Sequence, residues 1–415
     1  MVTTLTQLKL LRAFESRPFA LLWSGQMLSR IGDFVYEVAL AWWVLEKTGS
    51  ATEMAKVLIF SFAPMLVFLL IGGVTVDRYP RILVMLISDI GRGVIVTVVT
   101  IMAITGQLEV WHIYIASLLF GIVDAFFQPV SMAIVPDIVP EPNLTSANSL
   151  NSLATQLGRI LGPAIGAAAV GWAGTSFAFG LNALTFFVAA VLLFPLLKLP
   201  KRNLPEEPAS AQEDHASFWT QLQEGLRFVV HTPWLWLTII LFAIINVTLV
   251  GPYSVAMPFL VRENLHQDIR VLGLLYSFFP MGYVLSGLWL GGKRAIQNRG
   301  RLIYGGIMIA GVMLGLFGLP LSLVILCAAA VINGAALEAA NLAWTNALQE
   351  FVPSEKLGRV ASVDSFGSFA LFPIGLAVAG WATDLIGPAT VFLIGGGATA
   401  ILSLLLLWLY RIQKF

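Results

Sequence analysis

The chain has 415 residues, 58% of them hydrophobic and only 11% charged, and its mean hydropathy is +0.85. A soluble domain carries about 25% charged residues, so composition excludes a water-soluble fold and puts most of the length in a bilayer. The formal net charge of +1 says little by itself, and no nucleic-acid partner is expected.

Apolar runs long enough to cross a membrane lie near 18–45, 52–76, 82–105, 110–135, 145–172 and 176–197, and again near 233–261, 270–292, 301–319, 321–350, 357–384 and 388–411. Each crossing needs about 20 mostly apolar residues in a helix, and continuous runs argue against the alternating strands of a barrel. The expected fold is all-α and polytopic, with about twelve transmembrane helices in two pseudo-symmetric six-helix bundles. Residues 1–197 form the first bundle, 198–232 a cytoplasmic linker and 233–415 the second bundle. Lys and Arg gather in the loops on the side of the N-terminus, whereas the opposite loops hold Lys47, Lys56, Arg262 and Arg270. By the positive-inside rule both termini are cytoplasmic. The first run is too long for the apolar stretch of a cleavable signal peptide.

The first span keeps charges where lipid penalises them most. On a helical wheel Gln26, Arg30, Asp33 and Glu37 fall within roughly 60° of arc; the other faces are apolar. This stripe must face protein or water. A carboxyl group in a partly dry cavity holds its proton more tightly than in water, which suits Asp33 and Glu37 to proton coupling. Asp33 has an alternative as a structural ion pair with Arg30. Phe34 beside them is a candidate for binding bulky apolar groups.

Between the second and third spans stands GGVTVDRYPR (Gly72 to Arg81), and Asp89 and Arg92 follow in the third span. The fourth span carries Gly121, Asp124, Gln128 and Ser131 on one side; Asp124 is a coupling candidate or a partner for Arg159. The fifth holds LGRILGPAIGAA, with Gly158, Arg159, Gly162, Pro163 and Gly166. Small residues at spacing four permit tight helix crossing, and a proline bends the helix. The linker is rich in Pro, Ser and charge, and its end, FWTQLQEGLRFVV, has the pattern of an amphipathic surface helix. In the seventh span Asn246 and Tyr253 are candidates for the cavity wall, and Pro252 and Pro258 interrupt the helix. In the tenth, Glu338, Asn341, Thr345 and Gln349 share a side; Glu338 is a fourth coupling candidate or an interhelical hydrogen-bond donor.

The halves repeat weakly. One offset pairs Val139-Pro140 with Val352-Pro353, Leu144 with Leu357, Gly121 with Gly334 and Gln128 with Asn341. Two similar halves around a midplane site are a transporter plan, and the polar stripes of the first, fourth, seventh and tenth spans are expected to converge on one cavity. Cys327 is the only cysteine, which excludes an intramolecular disulfide. No catalytic or metal-ligating cluster falls at membrane depth and no phosphate loop is present, so an enzyme, a cofactor, a metal and an ATP-driven pump are not expected.

GGVTVDRYPR resembles a signature of the major facilitator superfamily, with Gly73, Asp77, Arg78 and Arg81 in the matching places and Pro80 where the pattern has Gly. The resemblance implies a charge network that latches the cytoplasmic side, which Asp89 and Arg92 are placed to join. The fifth-span motif resembles that of the superfamily's antiporting exporters, through Gly158, Gly162, Pro163 and Gly166. The long stretches around the first and fourth spans are similar to the branch that holds macrolide-efflux proteins and the enterobactin exporter. What this implies is a bacterial inner-membrane monomer that exports a bulky hydrophobic small molecule in exchange for protons by alternating access. The alternatives are a lysophospholipid or other lipid-like substrate, an uncoupled facilitator, and a transporter-fold sensor or scaffold.

Overall fold

The computed structural model describes residues 9–198, 218–291 and 298–409, and the backbone alone at 9–10, 69–78, 218–222 and 409. No strand occurs among the described residues. The helices that matter here are α1 (Arg17–Thr48), α2 (Ala51–Arg78), α3 (Arg81–Ile104), α4 (Val110–Ala133), α5 (Leu144–Ala173), α6 (Thr175–Leu193), α7 (Phe218–Val230), α8 (Pro233–Ile245), α9 (Ile269–Gly291), α10 (Arg299–Leu316), α11 (Leu323–Phe351), α12 (Ser354–Phe369), α13 (Phe372–Ile386) and α14 (Pro388–Leu409). Eleven helical stretches among the described residues are long and apolar enough to cross a membrane. The remaining span expected from the sequence is α1. Its 32 residues reach about 48 Å at 1.5 Å per residue, but Arg30, Asp33 and Glu37 interrupt its apolar run.

The chain divides into two compact units. The first comprises Met1–Arg202 and Asp268–Ser277; the second comprises Asn203–Gln267 and Phe278–Phe415. Of the segment expected as a linker, 199–217 lies outside the described residues. Its end forms α7, which packs on α12: Glu224 pairs with Arg359, and the Lys356 ammonium sits 5.3 Å over the Phe228 ring.

Local chemistry explains the ends of α1. The Ser16 hydroxyl accepts from the Phe19 amide at 3.3 Å, Pro18 lies in the first turn, and Gly49 closes the helix at φ 62°. These are the N-cap, early-proline and left-handed C-cap preferences of helices. Within the first unit α1 packs on α5 and α6. On the face turned to α6, a Cβ on Gly32 would collide with Thr185 and Asn182.

The internal repeat has a packing counterpart. A Cβ on Gly121 of α4 would run into the Ser61 carbonyl of α2, and one on Gly334 of α11 would run into the Phe279 carbonyl of α9. Each glycine thus allows a backbone-to-backbone approach that any side chain would block.

In the second unit the seventh span is interrupted, as Pro252 and Pro258 suggested. α8 passes into a π-helix at Asn246–Val250, then short helices at Gly251–Val255 and Met257–Phe259, then a second π-helix at Leu260–Asn264. Such π-turns and prolines open the regular ladder of backbone hydrogen bonds.

Candidate functional site

The first unit holds its charged side chains at mid-depth. Asp33 and Glu37 lie in the central turns of α1, Arg92 in the middle of α3, Asp124 in the second half of α4 and Arg159 in the middle of α5. Asp33, Tyr36 and Glu37 line a cavity of about 250 Å³ together with Val57 and Ser61 of α2 and Ser117, Phe120 and Asp124 of α4. Three of the four acids expected to couple protons therefore meet in one hollow inside a single unit. Ser61 and Ser117 are additions that no sequence signal marked, because isolated serines in apolar helices are common.

Asp124 is held by a buried relay across three helices. The Gln26 amide donates to Asp89 Oδ2 at 3.2 Å; Arg92 donates to Asp89 Oδ1 at 2.5 Å and to Asp124 Oδ1 at 3.1 Å. Asp89 is 0% and Arg92 3% exposed. The Arg92 guanidinium also lies over the rings of Phe127 and Phe186, 4.0 and 4.7 Å from their centroids. Faces of aromatic rings attract a desolvated cation. This burial would be costly for either charge alone; together, with hydrogen bonds to most of their polar atoms, the charges are tolerated.

Three sequence expectations change here. Asp124 pairs with Arg92 and forms no ion pair with Arg159. Arg30 turns from Asp33 and donates to the Asn151 carbonyl at 3.4 Å and to the Thr155 hydroxyl. Asp89 and Arg92, expected near a cytoplasmic latch, belong to the relay beside the cavity. For Arg30 sequence spacing favoured the partner one turn away; tertiary packing set α5 beside Arg30 and α3 beside α4 and supplied other partners.

Asp33 Oδ1 is buried without a hydrogen-bond partner. Glu37 is exposed to the open space and makes no ion pair or hydrogen bond among the described residues. An exposed carboxylate halfway along a membrane helix is tolerable only where water reaches it.

The fifth-span glycines set the depth of this stripe. Gly158 faces the Phe34 ring, Gly162 meets Phe34 Cβ, and a Cβ on Gly166 would lie 2.9 Å from the Val35 carbonyl. The motif is thus a seam that presses α5 onto α1. Phe34, expected on the cavity wall, packs into that seam. On the neighbouring strip of α5, the Pro163 carbonyl and Ala167 approach Gly273 of α9.

Of the latch signature, Arg81 is described. It donates to Asp137 Oδ2 and to the Ala133 carbonyl, both at 2.8 Å, tying the start of α3 to the end of α4 and the turn beyond it. The side chains of Gly73, Asp77 and Arg78 lie outside the described residues. Gln128 is exposed on α4, and Ser131 bonds to its carbonyl at 2.8 Å.

In the second unit Asn341, Thr345 and Gln349 are exposed along α11, and Glu338 above them is half-buried against Gly287 of α9. Asn246 does not line open space. Its amide donates to the carbonyls of Phe242 at 3.0 Å and Ser368 at 2.9 Å, bracing the π-turn against the end of α12. Tyr253 stacks near Phe279, centroids 5.0 Å apart. A carboxylate that sequence reasoning missed is Asp364 of α12, which accepts from the Trp344 indole at 3.0 Å and the Ser368 hydroxyl at 3.3 Å. The signal was available: an acid about three turns into the eleventh span's helix.

Comparison with known proteins adds kinship to this geometry. The family model described as "transmembrane secretion effector" matches residues 10–415. The chain is 26% identical over 400 residues to macrolide efflux protein A of Streptococcus pyogenes, covering 95% of this chain and 96% of that one. It is 27% identical over 356 residues to an enterobactin exporter of Escherichia coli, covering 85% and 82%. The crystal structure of the nucleoside transporter NupG superposes with a TM-score of 0.70 at 13% identity, covering 95% and 99%. These are transporters, not enzymes, and the last shows a shared fold.

Proposed function

The chain belongs to the transmembrane secretion effector family and is an efflux transporter of the major facilitator type; we propose that it exports a bulky, mostly hydrophobic small molecule by proton antiport with alternating access. The observation that carries this reading is the meeting of Asp33, Glu37 and Asp124 in one mid-depth cavity, with Asp33 Oδ1 unpartnered and Glu37 exposed. Ligand pockets for drug-sized molecules run to about 300–1,000 Å³. At about 250 Å³ this hollow has room for roughly eight waters at ~30 Å³ each. Its size suits a proton and its hydration better than a whole substrate.

Charge balance points the same way. Among these mid-depth groups the carboxylates Asp33, Glu37, Asp89 and Asp124 outnumber the guanidiniums Arg30, Arg92 and Arg159 by one. One proton makes the set neutral. Arg92 already neutralises Asp89 and Asp124 in part, so the proton goes to the Asp33 and Glu37 side. An inward proton gradient drives export when protonation of Glu37 and occupancy by substrate exclude each other. The exporters of macrolides and enterobactin among the relatives support a large hydrophobic cargo. The charge asymmetry of the loops supports both termini in the cytoplasm, and the bacterial relatives support a bacterial cell membrane.

The test is Glu37→Gln in proteoliposomes. We expect gradient-driven export to be lost while the protein stays folded and monodisperse. Undiminished proton-dependent efflux rejects the assignment.

A further inference from the structure

Arg159 is a mid-membrane cation with no ion-pair partner among the described residues. It stands midway along the 30-residue helix α5, about 22 Å from either end at 1.5 Å per residue. Its side chain is exposed, and it makes no ion pair or hydrogen bond among the described residues. A Cβ on its neighbour Gly158 would lie 3.3 Å from the Phe34 ring and 3.5 Å from Arg30 Cβ, which puts Arg159 level with the Arg30–Phe34 turn of the α1 stripe. One turn on, the same strip of α5 carries Pro163, closed off by Gly273 of α9. Arg159 is thus flanked along its helix by packed protein, Gly158 against α1 and, one turn on, Pro163 against α9. It is the basic group whose field reaches Glu37, and Tyr276 of α9 lies near that carboxylate too.

An unpaired guanidinium at this depth is expensive, and such residues mark pathways or sites in membrane proteins. The planar fork of arginine matches carboxylate or phosphate oxygens two at a time. We propose that the exported molecule carries an anionic group beside a cationic one on an apolar body, and that Arg159 binds the anion while Glu37 takes the cation. This rests on the reading that Glu37 exchanges proton for substrate. Electrostatics selects the doubly charged ligand over a simple anion. A lone anion on Arg159 repels the Glu37 carboxylate and so binds together with a proton, which gives symport. A cation delivered to Glu37 by the same molecule displaces the proton, as antiport requires. The chemistry fits a zwitterionic soluble compound or a lysolipid with a zwitterionic headgroup.

Full-length protein in proteoliposomes under an imposed proton gradient distinguishes the two sources with matched pairs. One pair is a zwitterionic fluoroquinolone and its methyl ester, which keeps the amine and loses the acid. The other is lysophosphatidylethanolamine and a monoacylglycerol aminoethyl ether, which keeps the amine and loses the phosphate. In one of the pairs the acid-bearing member is expected to be moved about tenfold better, the equivalent of about 1.4 kcal/mol, and that pair names the source. Arg159→Gln should bring the ratio to about one, and Arg159→Lys, with charge but no fork, should fall between. The proposal is overturned by wild-type protein that shows no preference in either pair, or by a preference that survives Arg159→Gln. Glu37→Gln reads the coupling separately: retained coupling in that variant with an intact acid preference discards the role of Glu37 and leaves the anion site standing.

Discussion

Replacing Arg92 by glutamine removes the one cation that serves the buried Asp89 and the half-buried Asp124. Asp89 is 0% exposed and accepts from Arg92 at 2.5 Å; Asp124 accepts at 3.1 Å. Without the guanidinium, Asp89 keeps only the Gln26 amide at 3.2 Å. Breaking a buried pair by removing one partner costs about 3–5 kcal/mol. The average unfolding entropy is about 2.1 cal/mol/K per residue, and the first unit has about 210 residues. The expected fall in Tm is then roughly 7–11 °C. Thermal unfolding of the detergent-solubilised protein, followed by fluorescence-detected size exclusion, measures it. Adding Asp89→Asn to Arg92→Gln removes the orphaned charge while keeping an acceptor for Gln26, and should recover at least about 1 kcal/mol of coupling, the scale at which residues in one network interact. A loss below about 2 °C, or a double variant no more stable than the single one, would refute the view that the relay is a mutually compensated charge cluster.

Gly162→Ala places a methyl group against Phe34 Cβ, and neither backbone can yield without opening the α1–α5 seam. Overpacking of this kind costs about 1–3 kcal/mol, and transport should drop at least tenfold in protein that still folds; wild-type transport rates would show that the seam does not set the stripe. Gly121→Ala and Gly334→Ala meet the Ser61 and Phe279 carbonyls in the same way. They should lower Tm by similar amounts, and a large loss at one with none at the other would contradict their equivalence. Asn246→Ala removes the amide that braces the π-turn against the Ser368 carbonyl, an expected cost of about 1–3 kcal/mol. If Tm is unchanged and transport alone falls, Asn246 contacts substrate instead of bracing the π-turn.

The order of spans, the break at Pro252 and Pro258, the glycine seam of the fifth span and the acids of the first were all legible along the chain. Each is a local property: apolar run length, a missing amide proton, the small-residue spacing of one helix, the angular spacing of a stripe. What the sequence could not settle was which charge answers which. Arg30 is one turn from Asp33, yet it turns to Thr155. Asp124 meets Arg92 on a different helix, and Phe34 goes into the α1–α5 seam rather than the cavity. Proximity along the chain sets which partners are nearest within a helix, but in a medium without water the winning partner is the one that also satisfies desolvation and shape. That choice depends on how α1, α3, α4 and α5 pack, and so belongs to the tertiary structure alone.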